Sequence, residues 1–216
     1  MTQRGWNGVV RCRPVRRQML MPPGIAWSRR TLGIHTSRMP SSTPSGACTT
    51  LGDVLAVLRL ADRAGARLWI DGGWGVDALL GGQTREHGDL DVAIEARHLS
   101  AFLAALSGHG FVAAAEHGAT AWNFLMQHRA GPVVDLHVIV LDAQGNGVLG
   151  PPEAGHAYPA DSLTGRGRIG DRIVDCITAE WAVKFRDAYT GDAGDRADVL
   201  ALCRRFDLTV PSQYRG

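Results

Sequence analysis

The stretch Trp69–Glu95, WIDGGWGVDALLGGQTREHGDLDVAIE, constrains the fold of this chain more than any other part of it. It reads as strand, glycine turn, short helix, loop, strand. The first strand covers Arg67 to Asp71 and breaks at Gly72–Gly73, where another group can approach the backbone with no side chain in the way. Trp74 to Leu80 follows as one or two helical turns, with Trp74, Ala78 and Leu79 at helical spacing, and Gly81–Gly82 stops it. Asp89-Leu90-Asp91-Val92-Ala93-Ile94 then alternates polar and apolar as a strand does. Residues i and i+2 of a strand point the same way, so Asp89 and Asp91 present two carboxylates side by side. Two anions held that close repel each other, and a divalent metal is the natural neutraliser.

A second strand, Val133-Val134-Asp135-Leu136-His137-Val138-Ile139-Val140, is apolar on both faces, as a central strand is, except at Asp135 and His137 on one side. A charged group is rarely left inside such a run without a partner. Either an arginine pairs with Asp135, or the strand lies beside the Asp89–Asp91 strand and three carboxylates converge. The second reading is favoured. His137 is expected to orient Asp135 or pack beside it, and not to serve as a ligand.

A double glycine opening a helix, followed by Asp-x-Asp at the start of the next strand, resembles the nucleotidyltransferase fold of the DNA polymerase beta superfamily. Gly72-Gly73-Trp74-Gly75-Val76-Asp77 with Gln83-Thr84-Arg85-x-His87-x-Asp89-Leu90-Asp91 is more similar still to the lincosamide and aminoglycoside nucleotidyltransferases. The resemblance runs from residue 50 to residue 208 and is weakest between Val148 and Gly167.

The resemblance implies roles. Asp89 and Asp91 match two metal-binding aspartates, and Asp135 the third carboxylate, which holds the catalytic metal and takes the proton of the acceptor hydroxyl. Three aspartates suit two magnesium ions about 3.5–4 Å apart that clamp a nucleoside triphosphate and the attacking hydroxyl. Gly72 and Gly73 match the pair whose backbone N–H groups meet the triphosphate at a helix mouth, and a helix N-terminus is already an anion site. The implied reaction is transfer of AMP from ATP to a hydroxyl of a small molecule, an aminoglycoside or lincosamide, with pyrophosphate leaving. Two rivals stand beside it: adenylylation of a protein, as in small antitoxin nucleotidyltransferases, and a non-catalytic nucleotide-binding module.

Other residues leave alternatives open. Arg85 either reaches the triphosphate or is solvated. His87 either hydrogen-bonds substrate or a metal-bound water, or caps the loop. Lys184, the only lysine, offers a phosphate contact on the helix after the sheet. Asp195 and Asp198 either meet a cationic acceptor or cap the last helix and complement its dipole. Asp71 and Asp77 read as structural.

The remaining elements follow from periodicity: helices at Thr50–Gly65, Leu99–Ser107, Thr178–Tyr189 and Asp195–Phe206, and strands at Phe111–Ala115, Ala121–Gln127 and Val133–Leu141. Asp142–Gly147 reads as a turn, Val148–Asp161 as irregular, and Arg168–Cys176 as a hairpin around Gly170–Asp171. Strands mixed with helices, then a helical tail, make an α+β fold: a mixed sheet flanked by helices with a short helical C-terminal segment. The expected division is a basic arm over 1–45, a nucleotidyltransferase core over 46–176 and a helical segment over 177–216.

Charge is unevenly placed. Residues 1–45 hold eight arginines and no acidic residue, so with a net charge of +2 for the chain, residues 46–216 carry −6. The arm matches a transit peptide or a nucleic-acid-binding tail in composition, but extra coding sequence ahead of Met39 is the favoured reading, with the arm disordered. Cys12, Cys48, Cys176 and Cys203 form no C-x-x-C pair. Neither a zinc site nor a disulfide framework is expected, and a reducing cytoplasm fits best.

Overall fold

The computed structural model describes residues 48–115, 119–150 and 157–215. The basic arm over 1–45 lies outside them, as does the middle of the irregular stretch, 151–156. Helix α1 (Leu51–Arg63) starts at Thr50, whose hydroxyl accepts from the Asp53 N–H while the Asp53 carboxylate accepts from the Thr50 N–H. This reciprocal capping box satisfies two backbone donors that a helix start leaves open. Strand β1 (Leu68–Ile70) passes through Asp71 into α2 (Gly72–Leu80). That helix begins two residues earlier than its apolar pattern predicts, because Asp71 caps it by accepting the Gly72 N–H at 2.7 Å.

Strand β2 (Leu90–Glu95) runs directly into α3 (Ala96–Ser107), and then come β3 (Phe111–Ala113), β4 (Asn123–His128) and β5 (Val133–Leu141). Asp142 closes the next turn by accepting from the N–H groups of Gln144 and Asn146. The stretch expected to be irregular departs from that reading at its two ends. Strands β6 (Gly147–Leu149) and β7 (Ala157–Tyr158) form there, β6 pairing with β5 and β7 with β6. Strands of three and two residues are too short to show a period of two. The hairpin β8 (Gly165–Ile169) and β9 (Arg172–Cys176) starts three residues before the predicted Arg168. Its Gly-Arg-Gly-Arg opening has no apolar face to read. Helices α4 (Ala179–Asp187) and α5 (Ala193–Phe206) complete the chain with a short 3-10 turn at Ser212–Tyr214.

The nine strands of the described residues belong to one sheet in the order β3-β4-β5-β2-β1-β9-β8, with β6 and β7 continuing from β5. β2 is parallel to β5 and β1 to β9, while the other pairs are antiparallel, so the sheet is mixed. Alternation along the strands gives it two covered faces. Leu68, Ile70, Val92, Ile94, Val134, Leu136 and Val138 pack with α1 and α3 on one face. Trp69, Ala93 and Ile139 face the opposite layer, with Val76, Tyr158, Ile177 and the inner sides of α4 and α5. The odd-numbered positions of β2 and β5 therefore look toward α2 and the C-terminal helices. Asp91, Asp135 and His137 occupy such positions.

Cys176 and Cys203 are free, buried thiols, and burial, with the charge of Asp175 next, pushes Cys176 up to about 12. Cys48 is disulfide-bonded, against the expectation for this cysteine set, and its partner falls outside the described residues. Among the described residues no helix is long and apolar enough to cross a membrane.

Candidate active site

β2 and β5 lie side by side in parallel, and their register pairs Asp91 directly with Asp135. The sequence predicted that these strands meet. Asp91 and Asp135 converge with His137, one ligand atom from each lying within 4.8 Å of the others. Asp89 falls one residue before β2 and is not in that group, although sequence alternation put it beside Asp91.

The carboxylate of Asp91 lies against the glycine turn. A Cβ built on Gly72 would sit 1.8 Å from Asp91 Oδ2, and Gly72 also has φ of +58°, which other residues adopt only with strain. Both Asp71 and Asp91 touch this turn, since the Asp71 N–H donates to the Asp91 carbonyl at 2.9 Å. The metal-type cluster and the mouth of α2 are thus one site.

Partners hold each member of the cluster. Asn123, the register partner of His137 on β4, donates to Asp135 Oδ1 at 3.0 Å. His137 Nε2 stands 3.7 Å from Asp135 Oδ2, and its Nδ1 is 2.6 Å from the Tyr158 hydroxyl. That hydroxyl donates to Asp71 Oδ2 at 3.0 Å. Burial alone would lower the His137 pKa. The carboxylate of Asp135 close to the ring, then those of Asp91 and Asp71, outweigh it and hold the imidazole at about 9. Burial and Asp71 hold the Tyr158 phenol well above its usual value, so it remains an O–H donor. A cluster this negative favours a cation, and its carboxylate oxygens suit a hard divalent ion.

The other predicted residues are placed as follows. Gly73 lies against His87, whose Nδ1 would be 2.1 Å from a Cβ at that position. His87 is buried, donates through Nε2 to Asp77 Oδ2 at 2.5 Å, and stacks at a tilt on Trp74. Asp77 also accepts the Thr84 N–H and hydroxyl through Oδ1, so Asp77 and His87 together brace the loop leading to β2. Arg85 makes a two-point contact with Asp198, Nε at 3.0 Å and Nη2 at 2.8 Å. That contact raises its pKa further. Lys184 is exposed, with its ammonium over the Trp181 ring. Asp195 and Asp198 are 1% and 2% exposed. They face inward, not toward an open acceptor surface.

The cation between those two carboxylates is Arg186, which the sequence reading did not single out. It is 2% exposed. Its Nη2 donates to the Gly72 carbonyl at 2.9 Å and lies 3.3 Å from Asp198 Oδ2, while Nε stands 3.5 Å from Asp195 Oδ1. The helical segment is therefore tied to the glycine turn by a buried ion cluster. A signal for it exists in the sequence: Ala179, Ala182, Val183 and Arg186 form one buried stripe of α4, at i, i+3, i+4 and i+7. Trp181 and Phe185, on another side of the same helix, are only half-buried.

A mixed sheet with a glycine turn opening a helix beside paired aspartates on parallel strands defines a nucleotidyltransferase. Residues 53–202 match the sequence profile of the aminoglycoside-2''-adenylyltransferase family, and the chain belongs to that family. A lincosamide resistance protein from Staphylococcus haemolyticus is 27% identical over 150 residues, covering 69% of this chain and 92% of that protein. The crystal structure of the lincosamide antibiotic adenylyltransferase LnuA with lincomycin bound superposes with a TM-score of 0.64 at 28% identity, covering 72% of this chain and 98% of the other. ANT(2'')-Ia in complex with adenylyl-2''-tobramycin shares the fold, with a TM-score of 0.61 at 21% identity over 73% of this chain and 90% of the other. Such relatives imply a nucleotide substrate and a divalent metal, and they favour neither the protein-adenylylating nor the non-catalytic reading.

Proposed function

We propose that this enzyme transfers AMP from ATP to a hydroxyl group of an aminoglycoside or lincosamide antibiotic. The observation that carries the reading is the in-register pair Asp91–Asp135 lying against Gly72. One end of the triphosphate would rest at the mouth of α2, near Gly72 and Gly73, where backbone dipoles favour negative charge. Asp91 and Asp135 would hold magnesium, as two ions with Asp89 contributing, and Asn123 keeps Asp135 turned toward them. Bound there, the metal supplies charge stabilisation for the phosphates and for the attacking oxygen. Asp135 would accept the proton of the acceptor hydroxyl as that oxygen attacks the α-phosphorus in line and pyrophosphate leaves. Most of the acceleration in such a site comes from holding the two reactants in line.

Division of the chain into a core over 46–176 and a helical segment over 177–216 fits this reading, with Arg186 of the segment holding the turn from behind. Arg85 is paired with Asp198 and lies beside the glycine turn, its Nη2 3.0 Å from a Cβ built on Gly73, so a triphosphate contact would be made next to that ion pair. Lys184 and His87 are secondary candidates for nucleotide or acceptor contacts, while Asp195 and Asp198, buried against Arg186, would act through the helical segment and not as acceptor contacts. An ATP donor would suit a cytoplasmic location.

The test is pyrophosphate release by the full chain from magnesium and ATP, with lincomycin, gentamicin, kanamycin and streptomycin each offered as acceptor. Release with at least one drug, lost in Asp135→Asn, is the expected result. A folded enzyme that binds Mg-ATP and is silent with every drug would overturn the acceptor class.

A further inference from the structure

We propose that His137 is a direct ligand of the metal held by Asp91 and Asp135, through Nε2. This inference rests on the metal site described above and adds to it a nitrogen donor that the three-aspartate reading lacks.

Hydrogen-bond direction decides which ring nitrogen is available. The Tyr158 hydroxyl has one proton and gives it to Asp71 Oδ2 at 3.0 Å. Toward His137 Nδ1, at 2.6 Å, the same oxygen can then only accept. The proton of a neutral His137 is therefore on Nδ1, and the lone pair is on Nε2. That lone pair is aimed at Asp135 Oδ2, 3.7 Å away, which also has only lone pairs to offer. With Nε2 unprotonated, two acceptors face each other across 3.7 Å, a separation suited to a shared cation. Asp91 supplies a third donor within 4.8 Å of both.

The support behind His137 is what a ligating imidazole needs. Metal-bound histidines commonly donate the other ring N–H to a fixed acceptor, which sets the tautomer and the ring orientation. Here Tyr158 is that acceptor, 1% exposed and anchored by the carboxylate that caps α2. The same chain, His137 to Tyr158 to Asp71 to the Gly72 N–H, links the ligand to the turn where the triphosphate would rest. Register adds the reason for its place: His137 lies two residues beyond Asp135 on the same face of β5, so it follows the carboxylate toward the same point.

An imidazole in the set changes which ions bind well. Manganese gains more than magnesium from a nitrogen donor, because magnesium prefers oxygen throughout. Full-length protein is titrated with Mn2+ followed by electron paramagnetic resonance, and the bound ion is examined by electron spin echo envelope modulation for a directly coordinated 14N nucleus. Wild type is expected to show imidazole nitrogen coupling. His137→Gln is expected to lose it and to bind Mn2+ about tenfold more weakly, with a smaller change for Mg2+. Tyr158→Phe keeps the imidazole but removes its orienting partner, and is expected to weaken Mn2+ binding while the coupling persists. This second variant covers the case in which His137→Gln does not fold. Mn2+ bound by wild type with no nitrogen coupling, or coupling that survives in His137→Gln, overturns the proposal and leaves the carboxylate site intact. No Mn2+ binding at all overturns the metal site itself.

Discussion

Asp91 and Asp135 face each other across two parallel strands as register partners, and neither could be shifted by one residue without turning its carboxylate to the other side of the sheet. The spacing of the site is therefore set by backbone pairing and not by the two side chains alone. Replacement of either by asparagine retains shape and most hydrogen bonds while removing one charge. Asp91→Asn and Asp135→Asn are each expected to lower kcat by about 100-fold or more, since about 3 kcal/mol or more of charge stabilisation goes with the metal. Circular dichroism and melting should remain near wild type. A variant that turns over normally would remove that carboxylate from the site.

Gly72→Ala tests the contact between the turn and the metal cluster without replacing a ligand residue. The new Cβ would overlap Asp91 Oδ2, and φ of +58° adds about 1–2 kcal/mol of strain. Asp91 must swing away. The expected result is a drop in melting temperature together with a loss of Mn2+ affinity of at least tenfold, read by the same titration. Lost stability with unchanged metal binding would separate the turn from the cluster.

The elements legible in the sequence are those with a sustained period. The alternation of Leu90–Glu95 and the two-faced apolar run of Val133–Leu141 located β2 and β5, and the glycines bounded α2. Illegible were β6 and β7, whose two or three residues cannot display alternation. The inward orientation of Asp195 and Asp198 was missed for a different reason. They lie on the same stripe of α5 as Val199, Leu202 and Cys203, at i, i+3, i+4, i+7 and i+8, so helical position alone marked them as buried. What a stripe does not reveal is the partner, and Arg186 sits on another helix with an equivalent stripe. Lys184, although the only lysine, lies on the exposed face, two residues from the cation that reaches Gly72. Asp89 illustrates the reverse limit: alternation gave its side, but β2 ends its pairing at Leu90, one residue short.

Loss of His87 separates bracing from substrate contact. Its ring is 3% exposed and tied to Asp77, whose other oxygen holds Thr84. In His87→Ala the buried Asp77 oxygen loses its partner, which costs about 1–3 kcal/mol. Differential scanning calorimetry should report a lower melting temperature. At a temperature where the variant is folded, KM for the acceptor should stay within about twofold of wild type, each 1.4 kcal/mol being tenfold. A tenfold or larger rise in KM with an unchanged melting temperature would assign His87 to the acceptor pocket.

Arg186 and Arg85 share Asp198 but should not be equivalent. Arg186 is the partner of both Asp195 and Asp198, and it is buried with them. In Arg186→Met the two carboxylates are left with less compensation in a dry setting, where breaking a buried pair costs about 3–5 kcal/mol. Arg85 is 32% exposed, and Asp198 retains Arg186 when it is removed, so Arg85→Met should cost less than about 1–2 kcal/mol after screening by solvent. Urea unfolding of the two variants should show the gap directly. The functional outcome discriminates further, because only Arg186 donates to the Gly72 carbonyl. Where Arg186→Lys is stable enough to assay, its shorter reach leaves the turn less well held, and KM for ATP should rise while KM for the acceptor stays near wild type. Equal rises in both constants, or equal destabilisation by Arg85→Met and Arg186→Met, would contradict a buried tie between the helical segment and the glycine turn.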